Sequence, residues 1–215
     1  MKYRAIHLGQ SIVAYETPLD IFLIINRIYE TNFQKLIPAN KQLIGKIKKE
    51  HSLFNSEDTE AMPKNNVLPQ IVIKYFLDCM HHYLKYNSIE NYKVSMSSVW
   101  VNEMEQHEYN PIHIHQGALF TGLSSVMILK LPESFGEEYS SVGQPQNGKL
   151  QIVGSDSGQF ARTDYQPHLK ERLFYIFPYD MRHTVYPFNG PGVRRSLACN
   201  CDVEYNPVKN RGIYV

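Results

Sequence analysis

The chain has no apolar run of membrane-spanning length. Its longest, "IFLII" at residues 21–25, is a quarter of the ~20 residues a bilayer needs. The first ten residues, "MKYRAIHLGQ", lack the apolar stretch of a secretory signal. Cysteine is scarce: Cys79, Cys199 and Cys201 are an odd number without framework spacing, which excludes a disulfide scaffold and points to a reducing, cytoplasmic setting. No sign of charge dominates. The formal net charge is +1, and the one basic run, Lys46, Lys48 and Lys49, alternates with apolar residues and reads as the wet face of a helix. No nucleic-acid partner and no membrane partner are therefore expected. There is no internal repeat and no low-complexity tract.

What is present is 215 residues of ordinary globular composition, enough for one domain with a real core. The first 90 residues read as a helical support region. One helix covers "IFLIINRIYETNF" with Thr17 as N-cap and Pro18 at the first helical position. "KQLIGKIKKEH" reads as a second helical piece, residues 51–66 as a loop, and "LPQIVIKYFLDCMHHYLKYN" as a third helix. Beyond residue 90 the chain is rich in Val, Ile, Tyr, Phe, Ser and Thr with turn residues at intervals. Strands are expected at 92–103, 112–116, 119–131, 148–154, 172–178, 183–187 and 193–203, with a further one at 212–215. The fold class is thus mainly β with N-terminal helices, in which a sandwich or barrel over 91–215 has one sheet covered by helices.

The chemistry is concentrated in "YNPIHIHQG" (109–117). Strand side chains alternate, so His113 and His115 share a face roughly 6–7 Å apart, close enough to converge on one ion. Ile112 and Ile114 would point the other way, into apolar packing. A third ligand is offered by His183, which opens a strand after the turn at Pro178. His81 and His82 are adjacent on a helix, about 100° apart, and suit a surface better than a metal. His107 and His168 also read as surface residues. The strand "GPGVRRSLACNCDV" carries Arg194, Ser196, Ala198 and Asn200 on one face and Arg195, Leu197, Cys199 and Cys201 on the other. The second face suits packing under helices. On the first, a buried guanidinium would need an anion that the strand itself does not contain, and a small carboxylate ligand held by Arg194 and Ser196 would supply it.

Together these motifs resemble the non-haem Fe(II)/2-oxoglutarate-dependent oxygenases, most closely a group of bacterial and phage proteins. The shared order is Trp100-Val101-Asn102, His113-Ile114-His115, "ILKLP" (128–132), Phe177-Pro178, His183-Thr184-Val185-Tyr186-Pro187, and Arg194-Arg195-Ser196 with Asn200. The likeness spans about residues 95–203. It implies a double-stranded β-helix, or jelly roll, with Fe(II) held by His113, His115 and His183. It also implies 2-oxoglutarate held by Arg194 and Ser196, with Asn102 and Tyr175 lining the co-substrate pocket, and O₂ as oxidant. Most of that superfamily has a carboxylate where His115 stands; Asp180 and Glu108 are secondary candidates for the missing acid. Two alternatives stay open. A cupin-type metalloenzyme also uses H-x-H, but "HIHQGALFTG" has no following glutamate and Pro187 stands where an asparagine is usual. The other is a non-catalytic jelly-roll binding module. The substrate, a small molecule or a protein side chain, has no code in the sequence. Two polar stretches, 133–149 and 155–171, are placed to face it. Oligomeric state is not encoded legibly.

Overall fold

The structure, a computed structural model, describes residues 9–41, 43–60, 62–139, 145–154 and 163–206. Two β-sheets form. The larger takes β1 (Val13–Glu16), β2 (Ile37–Pro38), β3 (Lys49–Asn55), β5 (Tyr92–Met104), β7 (Gly122–Lys130), β10 (Leu173–Pro178) and β12 (Arg194–Tyr205) in the order β1-β10-β7-β12-β5-β3-β2, with β4 (Asn65–Asn66) paired to β3. The smaller has the order β6-β11-β8-β9, from β6 (Asn110–His113), β8 (Leu150–Val153), β9 (Asp164–Tyr165) and β11 (Arg182–Val185). All pairings are antiparallel.

The sheets face each other across an inner core. Met104, Val126 and Ile128 from the larger sheet meet Leu150, Ile152 and Val185 from the smaller one, with Phe177 and Phe188 between. The chain crosses repeatedly from one sheet to the other, which is the jelly roll, or double-stranded β-helix. On the other face of the larger sheet lie α1 (Leu19–Asn32) and α2 (Gln70–Tyr86). Their buried Ile21, Ile25, Val72, Phe76 and Met80 pack on Leu197, Cys199, Cys201, Phe174 and Ile176. All three cysteines are free and buried, as small apolar residues. No helix among the described residues is long and apolar enough to cross a membrane.

Several local expectations need correction. "KQLIGKIKKEH" does not become a helix. Its second half enters β3, whose Lys49 to Asn55 fill the edge of the long strand β5. Lys49 pairs with Glu105 at 2.7 Å and Glu103 at 3.6 Å, so the basic run borders a sheet. The stretch 51–66 is not simply a loop, because it completes β3 and adds β4. Thr17 does not cap α1. The N-cap is Pro18 without a side-chain bond, while Thr17 is fully buried and its hydroxyl accepts from Tyr75. The strand expected at 212–215 lies outside the described residues, as do parts of the two polar stretches (140–144 and 155–162).

Candidate metal centre

Two of the three histidines come from neighbouring strands of the smaller sheet, and the third from the turn that follows one of them. β6 ends at His113, which sits directly opposite His183 on β11. The chain leaves the strand at Ile114 and is tied down again where His115 N–H donates to Tyr179 O at 3.0 Å. His115 therefore belongs to the turn beyond β6. Ile112 and Ile114 do point away from the histidines, but into solvent, each more than half exposed. β6 is the edge strand of its sheet.

Each imidazole offers a ring nitrogen, and these atoms lie within 4.8 Å of one another. His115 Nε2 and His183 Nε2 are 3.0 Å apart. Two nitrogens bound at about 2.1 Å and a right angle to one ion stand about 3.0 Å apart, so this is the spacing of adjacent ligands on an octahedral cation. The opposite ring nitrogens are held by the protein. His113 Nδ1 meets Pro111 O at 2.6 Å and His183 Nδ1 meets Met181 O at 3.0 Å. A carbonyl can only accept, so Nδ1 carries the proton on both rings and Nε2 keeps its lone pair. Burial holds all three rings neutral. His183 is pushed down to about 3 and His115 well below the ordinary imidazole range, with repulsion among the rings adding to the effect. His113 is lowered by burial as well. Neutral, convergent imidazoles are the protonation state that metal ligation requires. Asp180 and Glu108 stay out of the cluster. Asp180 accepts from Gln10 at 2.6 Å, and Glu108 accepts from the backbone of Lys48 and Glu105.

A cavity of about 240 Å³ opens on His113 and His115. Its walls include Leu43, Ile44, Met62 and Trp100, with Ser98 and Asn200 among its polar residues and no acid or lysine or arginine among its lining. The Trp100 ring stands 5.6 Å from that of His115. Trp100 is buried, as a core residue would be, but it also forms part of this wall. Leu43, Ile44 and Met62 are not expected here: the first two lie in "KQLIGKIKKEH", whose apolar spacing suggests a helix, and Met62 in a stretch that reads as a loop.

Behind the histidines the inner face of the larger sheet is polar in rows. Asn102 pairs with Ser196, and Glu50 pairs with Asn102. Tyr175, Val126, Ala198 and Trp100 form the next row. Asn102 and Tyr175 are thus on the expected face. The Tyr175 hydroxyl, though, donates to His168 O at 2.7 Å, whereas Asn102 Oδ1 is buried without a partner.

Arg194 is fully buried. Its Nε donates to Gly148 O at 3.0 Å and its Nη1 to Ser196 Oγ at 3.2 Å, while Nη2 has no partner. Burial alone depresses its pKa to about 10. The adjacent Arg195 is the opposite case. It reaches the other face, meets Glu103 at 2.8 Å and Glu30 at 2.9 Å, and lies over the Tyr29 ring. One guanidinium is compensated by the fold, and the other is left with a free donor and no acidic partner among the described residues.

Residues 98–200 match the family model described as "Putative 2OG-Fe(II) oxygenase". No curated protein matches. Among solved structures, a prolyl-4-hydroxylase from Pseudomonas putida superposes with a TM-score of 0.54 at 14% identity, over 90% of this chain and 92% of that one. A prolyl hydroxylase from Trichoplax adhaerens, in complex with a hypoxia-inducible-factor peptide, gives 0.54 at 13%, over 96% and 87%. SnoN, an α-ketoglutarate-dependent epimerase of nogalamycin biosynthesis, gives 0.57 at 11%, over 93% and 79%. At such identities these likenesses establish the fold. The matched segment, just under half of the chain, contains all three histidines, Asn102, Tyr175, Arg194 and Ser196.

Proposed function

We propose that the protein is an Fe(II)- and 2-oxoglutarate-dependent oxygenase that hydroxylates its substrate and releases succinate and CO₂. His113, His115 and His183 hold the metal through Nε2. The observation that carries the reading is the pairing of two incomplete groups in one barrel: three converging neutral imidazoles, and a fully buried arginine with a free Nη2 and no acidic partner among the described residues. A dicarboxylate that chelates the ion at one end and meets Arg194 at the other completes both.

Fe(II), when bound, supplies the redox chemistry by which O₂ decarboxylates the keto acid and oxidises a C–H bond. The chain's own residues do the rest. Arg194 fixes the distal carboxylate by charge-assisted hydrogen bonds, with the Ser196 hydroxyl beside it. Asn102 faces the same interior, where its amide NH2, not its acceptor oxygen, is the group that can donate to a carboxylate. The carbonyls of Pro111 and Met181 hold two rings in the ligating tautomer. Trp100, Met62, Leu43 and Ile44 keep the substrate side dry. Three imidazoles in place of two and a carboxylate leave the centre one negative charge poorer; imidazole still suits Fe(II). The substrate is a protein side chain or a small molecule; among the described residues the cavity lining is apolar and neutral-polar beside the histidines, which suits an uncharged reacting end.

The test is succinate formation from 2-oxoglutarate with Fe(II) under air. Turnover that depends on both, and is lost in His183→Ala, is expected. Metal binding without any effect of 2-oxoglutarate on melting temperature or turnover would favour a cupin-type enzyme instead.

A further inference from the structure

His113 and His183 have backbone carbonyls to fix their tautomers, but His115 has only Asn200. Asn200 is buried on β12, at a point where the pairing with β5 slips by one residue: Asn200 pairs with Ser98 and Cys201 with Met96. Its Nδ2 lies 3.2 Å from His115 Nδ1, and its Oδ1 is buried with no partner. In this orientation the amide donates, so the proton of neutral His115 sits on Nε2 and points at His183 Nε2, 3.0 Å away. That is a closed network holding a proton where the metal belongs. The two ends of a carboxamide have the same shape, so a half-turn about its last bond exchanges donor for acceptor without changing the packing. His115 Nδ1–H then donates to Asn200 Oδ1, Nε2 loses its proton, and three lone pairs face one another. Only a cation satisfies that arrangement.

We propose that Asn200 is the positioning residue of the metal centre. Its amide donates to His115 in the metal-free protein and turns to accept when the ion enters, which selects the ligating tautomer of the one histidine that no backbone carbonyl holds. This rests on the metal-centre reading above, and the experiment separates the two.

Mn(II) affinity is measured by EPR on wild type, Asn200→Leu, Asn200→Asp and His183→Ala, with near-UV circular dichroism as the check of folding. Leucine keeps the branching and removes both amide atoms, and a ten- to hundredfold weaker Mn(II) affinity is expected. Aspartate keeps an acceptor and is expected to bind at least as tightly as wild type. Nitrogen-15 NMR of the imidazoles in wild type gives a readout that needs no variant. His115 is expected to be protonated on Nε2 without metal and on Nδ1 with Zn(II). Equal losses in the leucine and aspartate variants would reduce Asn200 to a packing role and overturn the proposal. So would wild-type affinity in the leucine variant, or one unchanged tautomer in both states. Wild type binding Mn(II) no better than His183→Ala would instead sink the metal centre itself.

Discussion

An uncompensated guanidinium in a protein interior costs several kcal/mol, whereas an apolar side chain of similar volume in the same place costs little. Arg194 is in that position, with burial lowering its pKa and no acid raising it. Arg194→Met is therefore expected to leave the ligand-free protein as stable as wild type or about 1–4 kcal/mol more stable. It should also weaken 2-oxoglutarate binding by more than tenfold while Mn(II) affinity holds, as read by melting curves with each ligand. Arg195→Met should do the reverse, losing stability because the buried Glu103 is left with only the longer contact to Lys49 at 3.6 Å. A second residue gives a pH dependence. Glu50 is 3% exposed, its Oε1 has no partner, and burial with the nearby Glu108 charge raises its pKa from 4.5 to about 7. The folded state thus keeps a proton that the unfolded chain has already lost. The stability this contributes is full below pH 4.5 and declines as pH rises through 7. Glu50→Gln should remove that decline and stabilise the protein by about 1–3 kcal/mol at pH 8, measured by urea unfolding across the range.

At the scale of elements, the turn after β6 is what brings His115 back to the cluster. Asp202 on β12 is its anchor: one carboxylate oxygen accepts Ala118 N–H at 3.0 Å and the other the Tyr179 hydroxyl at 3.3 Å. Gly117 passes so near that a Cβ there would stand 2.1 Å from Asp202 Oδ1. Gly117→Ala must push the turn off its anchor. The expected result is a loss of about 1–3 kcal/mol in stability and at least tenfold in Mn(II) affinity, read by titration of the folded variant. How much of this was legible in sequence depends on whether the information is local. β12 reads correctly because alternation along one strand separates Arg194, Ser196 and Asn200 from Leu197, Cys199 and Cys201, and both faces are buried against different layers. β3 does not, because its inward residues Glu50 and Ser52 are polar and its strand state is set by the open edge of β5. The histidines could be picked out by type and spacing. The Asn200 contact across 85 residues could be seen only as a motif position without a role. The exposure of Ile112 and Ile114 depends on which layers pack around β6 and its turn, which no window of the sequence contains.

On the scale of the molecule, the larger sheet separates two interiors that do different work. One side holds the larger aliphatic and aromatic core under α1 and α2; the other holds a smaller apolar core around Ile128, Leu150 and Phe177, with the arginine and the histidines beside it. The histidines themselves belong to the smaller sheet and its following turn, two layers away from the helices. If the helices serve to bury the back of the sheet and no more, damage there should cost stability without altering the site. Phe76 is the place to ask. It is fully buried on α2 with its ring 5.4 Å from Phe174 of β10, and the neighbours of Phe174 along that strand, Tyr175 and Phe177, face the inner side. Phe76→Ala leaves a cavity of aromatic size and is expected to cost about 3–5 kcal/mol. At a temperature where the variant remains folded, its Mn(II) affinity should stay within about threefold of wild type. A parallel loss of affinity would mean that strain passes through the sheet, and that the helical layer sets the geometry of the metal centre as well as the stability of the fold.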